Sequence, residues 1–253
     1  MEPKTHDAFV ASQFGAVSAA YVASPVHSSG ADLDQIAAFV RGQPAARLLD
    51  MGCGGGHVAF ATAPHVAEVT AFDLSAEMLQ AVAAEAARRG LRNIVPAQGS
   101  VAALPYPDHS FDFVVSRFSA HHWRDWMAGL KEARRVLKPG GRAIFADAVA
   151  PSDPLFDTNF QAIELLRDPS HVRDYSVQEW RDGLTAAGFS VGQVVTRRLP
   201  LEFSSWVARI NTPPTLVAAI RSLQEMMAQD VRDYLEIKSD GSFTIDTASF
   251  EAD

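Results

Sequence analysis

The central part of the chain alternates between short apolar runs and amphipathic stretches. The apolar runs predict buried strands at Arg47–Met51, Val69–Phe72, Ile94–Ala97, Phe111–Ser116 and Arg142–Ala148. Apolar residues at three-to-four spacing predict the helices between them, at His57–Pro64, Ser75–Arg89 and Trp126–Leu137. Gly90 ends the second helix, and the Lys-Pro-Gly-Gly sequence at 138–141 breaks the third from the last strand. Strands that alternate with helices in this way predict an α/β fold with a doubly wound, mostly parallel sheet.

The segments on either side of this core are predicted to be largely helical. Ahead of it, Ala31–Arg41 forms an amphipathic helix, and the residues before that helix form a lid. Behind it come two helices and a strand, at Leu155–Arg167, Ser176–Ala187 and Phe189–Arg198. A further helix and strand close the sheet edge at Leu216–Ala228 and Phe243–Ile245, and the acidic last residues form a loose end. Without repeats or a low-complexity linker, the chain is predicted to be one domain, with a lid at 1–44, a core at 45–150 and a substrate-side insertion and sheet-closing segment at 151–253.

Composition and charge limit the partners. Lys and Arg number 22 against 30 Asp and Glu, so the net charge is −8, and no basic run is long enough to follow a phosphate backbone. This argues against nucleic acid and anionic membranes as partners and favours a small molecule. A single cysteine excludes an internal disulfide, and Met1–Asp7 does not resemble a signal peptide. We therefore expect a cytoplasmic protein, either monomer or homodimer, without a membrane span.

A glycine-rich turn follows the first predicted strand. The residues from Asp50 to Gly56 read Asp-Met-Gly-Cys-Gly-Gly-Gly, and the next helix begins directly after them. Such a turn lets the backbone approach a ligand at the carboxyl edge of an open sheet, where α/β proteins bind cofactors. The spacing Gly54-x-Gly56-x-x-Ala59 also satisfies the dinucleotide fingerprint. The turn alone therefore does not choose between cofactors.

Two carboxylates beside the turn separate the candidate cofactors. A carboxylate at Asp50 would face the doubly negative pyrophosphate of a dinucleotide, but it suits the ammonium and sulfonium groups of S-adenosylmethionine. Asp73 lies 73 − 50 = 23 residues further on, at the end of the second strand, where its carboxylate can accept both ribose hydroxyls. The residues thus favour S-adenosylmethionine, and a nicotinamide-dependent oxidoreductase on the same architecture is the alternative.

Several motifs together resemble the UbiE-like class I methyltransferases. In the core they are Leu48-Leu49-Asp50-x-Gly52-x-Gly54-x-Gly56, Asp73, Leu104–Asp112 and Arg135–Gly141. In addition, Ala16-x-x-Ala19-Ala20-Tyr21 in the lid, Ser116–Trp123, Arg167–Arg173 and Leu201–Arg209 are similar to the YafE-type branch. The resemblance implies a seven-stranded sheet, with 45–150 as the cofactor-binding core, an N-terminal helical lid and a C-terminal helical insertion. It also implies methyl transfer from S-adenosylmethionine to a carbon, oxygen or nitrogen atom of a small acceptor, releasing S-adenosylhomocysteine, although a non-catalytic S-adenosylmethionine-binding protein is a further alternative.

The family pattern suggests how the methyl donor is held. The residue after the glycine of the third-strand turn is usually acidic in this family, whereas here Gly99 is followed by Ser100. We expect Ser100 and the Val101 amide to hold the adenine edge, with Leu74 and Met78 against its ring. The full set of expected cofactor-binding residues is Tyr21, Asp50, Gly52, Gly54, Gly56, Asp73, Leu74, Met78, Ser100, Val101, Ser116 and Arg117. Arg117 ends a buried strand, so it needs a carboxylate partner or a substrate anion.

The acceptor is expected beside the loop after the fourth strand. His121 or His122 could take its proton or contact it, and helix capping or packing is the alternative for either ring. Adjacent side chains tend to point apart, so we expect at most one of the two in the pocket. The other expected acceptor-binding residues are Phe14, Trp123, His171, Arg173, Tyr175 and Arg209. No metal site is predicted, because no second His, Cys or carboxylate cluster stands at a recognisable spacing.

Overall fold

The computed structural model describes residues 5–18, 22 and 28–253. The α-helices are α1 (His6–Gly15), α2 (Ala31–Phe39), α3 (His57–Thr62), α4 (Ala76–Arg88), α5 (Trp126–Val136), α6 (Pro154–Arg167), α7 (Val177–Ala186), α8 (Phe203–Ala208), α9 (Pro214–Met226) and α10 (Gln229–Tyr234). The strands are β1 (Gln43–Met51), β2 (Val66–Asp73), β3 (Ile94–Gln98), β4 (Phe111–Arg117), β5 (Leu137–Ala148), β6 (Val191–Leu201) and β7 (Phe243–Ala252). Single turns of 3₁₀-helix lie at Ala63–His65 and Ala120–His122. Within the described residues, none of the helices is both long enough and apolar enough to cross a bilayer.

The strands form one seven-stranded sheet in the order β3-β2-β1-β4-β5-β7-β6. β1 to β5 are parallel, and β7 runs antiparallel to both β5 and β6. This is the predicted doubly wound, mostly parallel sheet. The strand order reverses between β1 and β4, because the chain moves outward from β1 to β3 and then returns to start β4 beside β1. In open α/β sheets, ligands bind at the carboxyl ends of the strands at such a reversal.

Helices cover both faces of the sheet, and the neighbouring residues of β1 show how. Leu48 packs with the helices α2, α3 and α4, whereas Leu49 packs on the opposite face with α5 and α7. Successive side chains of a strand point to opposite faces of the sheet, and both faces of a parallel sheet are buried. Neighbouring residues of β1 therefore pack against different helices. A third apolar cluster, which includes Phe160, Ile220 and Phe243, joins the helices that follow β5 to the end of the sheet. This cluster builds the wall opposite the glycine turn.

Two boundary predictions were wrong. Residues 138–141, expected to break the chain, lie inside β5, where Gly140 has a φ of 74° and the register with β4 shifts. The last residues are also not loose, because β7 continues to Ala252 between β5 and β6. Asp253 then exchanges two backbone hydrogen bonds with Ser190, at 2.7 and 3.1 Å. The buried face of β7 includes Phe250, which explains why an acidic terminus still pairs in the sheet.

Candidate active site

The glycine turn after β1 is fixed by backbone hydrogen bonds and by left-handed conformations. The amides of Gly52 and Cys53 both donate to the carbonyl of Phe72, at 2.8 and 3.0 Å. The φ angles of Gly52 and Gly54 are 70° and 47°, in a region that residues with a Cβ rarely adopt. A Cβ on Gly54 would meet no protein atom within 4 Å. Gly54 therefore leaves open space beside the turn.

That space belongs to a cavity of about 650 Å³ at the carboxyl ends of the strands. The end nearest the glycine turn is lined by residues that the sequence predicted, namely Gly52, Gly54, Asp73, Leu74, Met78, Ser100 and Val101. The other end is lined by Phe14, His121, His122, Trp123, Glu164, Arg167, Asp174, Trp206 and Arg209. One continuous cavity thus joins the two sets of predicted residues. Tyr21 lies outside the described residues.

Asp73 connects the end of β2 to the glycine turn. Its Oδ2 atom accepts a hydrogen bond from the Gly54 amide at 2.9 Å, and its Oδ1 atom accepts one from the Ser75 amide at 3.0 Å. Burial raises the pKa of Asp73 above its ordinary value, and these backbone donors oppose the rise. The Ser75 hydroxyl then accepts from the Met78 amide at 3.1 Å and caps α4. The carboxylate is therefore held rigidly at the cavity edge.

Asp50 is buried beside the turn and does not line the cavity itself. It is 1% exposed, and its Oδ2 atom has no hydrogen-bond partner among the described residues. Burial, and then the charge of Asp73, raise the pKa of Asp50 to about 8. The buried Oδ2 atom of Asp50 lacks a hydrogen-bond donor, and a cationic ligand in the open turn would stabilise it. The charge argument made from the sequence stays a prediction, with Asp50 behind the turn and not in the cavity lining.

Besides Asp50, three residues predicted to contact the cofactor do not line the cavity. Gly56 precedes α3, where a Cβ would come within 2.9 Å of Phe60 and Val82, so it serves close packing. Ser116 is buried within β4 and does not line the cavity. Arg117 forms an ion pair with Asp32 of α2, with 2.5 Å between Nε and Oδ2. This ion pair supplies the carboxylate that its buried position required, and it turns the guanidinium away from the cavity.

His121 and His122 both line the cavity, so the expectation of at most one was wrong. They belong to the 3₁₀ turn Ala120–His122, and their ring centroids are 4.3 Å apart. In an extended segment successive side chains point to opposite sides, whereas a turn with about three residues per turn separates them by only about 120°. Phe14 of α1 packs edge-on against His122, with 4.9 Å between centroids. The lid helix therefore contacts the histidine turn directly.

The two imidazoles have different partners. His121 Nδ1 lies 2.6 Å from Asp147 Oδ1, and the Oδ2 atom of Asp147 accepts from the Ala120 amide at 2.9 Å. Burial opposes the charge of His121, but the charge and hydrogen bond of Asp147 raise its pKa to about 9. His122 Nδ1 faces the Ser170 carbonyl at 3.2 Å. Burial, and then the charge of His121, lower the pKa of His122 to about 4.

The segment between α6 and α7 places different residues in the cavity from those predicted. His171 binds Gln161 of α6, with 2.9 Å between Nε2 and Oε1. Arg173 pairs with two carboxylates of the flanking helices, and Tyr175 stacks on Trp126 at 3.9 Å. These three residues do not line the cavity, whereas Asp174 does. The segment turns back toward the loop after β4, where the Val172 amide donates to the His121 carbonyl. Alternate residues of the segment therefore do not point to one side, as they would in an extended chain.

Sequence reasoning missed the charged residues at the far end of the cavity. Asp174, which precedes α7, lines the cavity together with Glu164 and Arg167 on the buried face of α6. Asp147, the second-last residue of β5, contacts His121 from outside the cavity lining. For three of these residues, the sequence pattern could have indicated a place near the site. Asp147 follows an apolar strand at its carboxyl end, and Glu164 and Arg167 stand four and seven residues after buried Phe160 on the same helix face. Nothing in the local sequence indicated Asp174.

Comparisons with known proteins agree with this geometry. A family model described as a methyltransferase domain matches residues 49–145. The chain is 47% identical to the uncharacterized protein YafE of Escherichia coli strain K12 over 201 residues, covering 79% of this chain and 97% of that protein. It is 36% identical to the uncharacterized methyltransferase YcgJ of Bacillus subtilis strain 168 over 188 residues, 74% of each protein. The crystal structure of YcgJ matches with a TM-score of 0.84 at 31% identity, over 87% of this chain and 97% of that one.

The sheet order, the glycine turn after β1 and the carboxylate after β2 are those of a class I S-adenosylmethionine-dependent methyltransferase. The chain belongs to the methyltransferase domain family. Its cofactor is S-adenosylmethionine, and it is an enzyme that transfers a methyl group. The sequence prediction of the fold, the family and the reaction class is therefore confirmed.

Proposed function

We propose that the cavity binds S-adenosylmethionine at the glycine turn and a small-molecule methyl acceptor at the histidine end. The observation that carries this proposal is the continuity of the cavity between Gly54 and His121. Its volume of about 650 Å³ lies within the roughly 300–1,000 Å³ of typical small-molecule sites. The acceptor reacts through a nucleophilic carbon, oxygen or nitrogen atom.

The donor end fits this cofactor without rearrangement. Each Asp73 oxygen already accepts one backbone hydrogen bond and retains a second acceptor position for a ribose hydroxyl. Leu74 and Met78 provide apolar surface for the adenine ring, and Ser100 with Val101 borders its edge. The open space at Gly54 suits a ligand that approaches the backbone closely. Asp50 supplies negative charge behind the turn for the ammonium and sulfonium groups.

Bound S-adenosylmethionine supplies an electrophilic methyl group on a sulfonium sulfur. The protein must hold the acceptor in line with that methyl group and exclude water, and alignment of this kind supplies about 7–11 kcal/mol in favourable cases. His121 lies at the acceptor end and is held in place by Asp147. Because its pKa is raised to about 9, the His121 ring is protonated at neutral pH, and we assign to it the contact that orients the acceptor. Phe14 and Trp123 close the apolar walls around this position.

The Asp73→Ala variant tests the donor end. It is expected to weaken S-adenosylmethionine binding by about ten- to a hundredfold, because hydrogen bonds to a charged group contribute about 1.5–3 kcal/mol. Isothermal titration calorimetry measures the affinity. The control is Asp182→Ala, which removes an exposed carboxylate on α7. Equal affinities in the wild type and Asp73→Ala would refute the proposed donor site.

Asp50 predicts a pH dependence of donor binding. With its pKa raised to about 8, Asp50 is protonated at neutral pH in the free protein. A cationic ligand favours the ionised carboxylate, so its pKa falls on binding and the protein releases a proton at pH 7. The apparent binding enthalpy should therefore vary with the ionisation enthalpy of the buffer, and Asp50→Asn should abolish that variation. A buffer-independent enthalpy in the wild type would contradict the role given to Asp50.

A further inference from the structure

Three segments far apart in the sequence bring metal-ligating atoms together at the acceptor end of the cavity. His121 follows β4, Asp147 is the second-last residue of β5, and Asp174 lies between α6 and α7. Each offers one ligand atom, and these atoms all lie within 4.8 Å of one another. Two of the three residues, His121 and Asp174, line the cavity. The sequence showed no such cluster, because no two of its members are close along the chain.

Asp174 is the member that points to a missing cation. Its side chain is 1% exposed, and neither carboxylate oxygen has a hydrogen-bond partner among the described residues. The nearby His171 Nε2 is 3.6 Å from Oδ2, and it binds the Gln161 amide oxygen instead. A buried carboxyl group without donors is either protonated or ionised beside a positive charge, and a metal ion would supply that charge. The open side of Asp174 faces the cavity, so the compensating group can enter from there.

The other two members are already oriented for ligation. Asp147 accepts hydrogen bonds from the backbone amides of Ala120 and Ala148, both at 2.9 Å, which fix its carboxylate. These amides leave further lone pairs of the carboxylate available. His121 lies against the same carboxylate, with 2.6 Å between Nδ1 and Oδ1. A metal ion bound to both side chains would replace this contact between them, while the two backbone amides keep the Asp147 carboxylate in place.

We propose that His121, Asp147 and Asp174 bind one divalent transition-metal ion. An imidazole with two carboxylates suits manganese, iron, cobalt or zinc better than magnesium, which prefers oxygen ligands alone. Three protein ligands leave coordination positions open toward the cavity, where an oxygen atom of the acceptor would bind. The metal would then lower the pKa of that oxygen and position it for methylation. The site stands on the geometry of the cluster, and only its role in orienting the acceptor rests on the proposed function.

Manganese binding to the full-length protein tests the site. After removal of metals with a chelator, the wild type should bind one Mn²⁺ per chain, measured by the loss of the free-ion electron paramagnetic resonance signal. Zn²⁺ should compete for the same site. Asp174→Asn should reduce the Mn²⁺ affinity at least about tenfold, since even outer-shell substitutions reduce metal affinity 10–100-fold. The matched control, Asp182→Asn, should leave it unchanged.

Two further measurements distinguish the possible outcomes. Mn²⁺ should raise the melting temperature of the wild type but not of Asp174→Asn. The metal-free variant should still be folded, because an amide of the same shape replaces a buried carboxyl group. Failure of Mn²⁺ and Zn²⁺ to bind, or equal binding by Asp174→Asn, would overturn the metal site. The affinity for S-adenosylhomocysteine is measured on the same metal-free samples. If that ligand binds and the metals do not, the metal site alone fails; if it does not bind, the proposed function fails.

Discussion

Replacement of His121 by alanine is expected to lower turnover about a hundredfold, because a reactant that is no longer held in line can lose about 10²-fold in rate. The ring lies at the acceptor end of the cavity, and Asp147 holds it at 2.6 Å. His121 is not among the residues assigned to the donor end of the cavity, so the affinity for S-adenosylmethionine should change little. Steady-state kinetics with an acceptor found in a metabolite panel gives kcat and KM, and calorimetry gives the donor affinity.

His122→Ala is the matched control for this variant. His122 also lines the cavity, but its Nδ1 atom faces the Ser170 carbonyl and its ring packs against Phe14. We therefore expect a smaller loss of turnover from His122→Ala than from His121→Ala. Asp147→Asn should fall between them, since the amide keeps the shape of the carboxylate and weakens its hold on His121. Full turnover in His121→Ala would refute its role, as would a loss of donor affinity that matches the loss of turnover.

The donor side of the molecule could be predicted from the sequence because each of its features is local. Strands buried on both faces appear as short apolar runs, and β1, β2 and β4 were found in this way. The left-handed turn requires glycine at Gly52 and Gly54, and Asp73 follows directly after β2. Local features of this kind can be recognised from a single sequence. The sequence therefore predicted Gly52, Gly54, Asp73, Leu74, Met78, Ser100 and Val101 of the donor end, and their contacts with the cofactor stay predictions.

The acceptor side could not be predicted in the same way because separate segments build it. Asp174 enters the cavity only because its segment turns against the His121 loop, where the Val172 amide donates to the His121 carbonyl at 2.8 Å. The period-two interpretation of this segment assumed an extended chain, and it therefore selected His171 and Arg173. Side chains that are brought together by tertiary contacts show no regular spacing in the sequence. The same reason explains why the cluster of His121, Asp147 and Asp174 became visible only in three dimensions.

The second large effect is expected at Gly52, where alanine should lower the free energy of unfolding by about 3 kcal/mol. Two costs combine: a left-handed conformation disfavours a Cβ by about 1–2 kcal/mol, and overpacking adds about 1–3 kcal/mol. The φ of Gly52 is 70°, and a Cβ there would lie 1.8 Å from the Ser119 hydroxyl oxygen. That hydroxyl accepts a hydrogen bond from Trp123 Nε1 at 3.1 Å, so it cannot move freely. Urea unfolding measures the change, and donor affinity should fall with it because the turn must shift.

A control at another left-handed glycine separates these two costs. Gly42 has a φ of 76°, and a Cβ there would meet nothing within 4 Å, so Gly42→Ala should show the backbone strain alone. The difference between Gly52→Ala and Gly42→Ala is then the overlap with Ser119. Adding Ser119→Gly to Gly52→Ala should recover that difference, after correction for the Ser119→Gly single variant in a double-mutant cycle. Equal losses of stability at Gly52 and Gly42, or no recovery in the double variant, would show that contact with the loop after β4 is not what requires glycine at this turn.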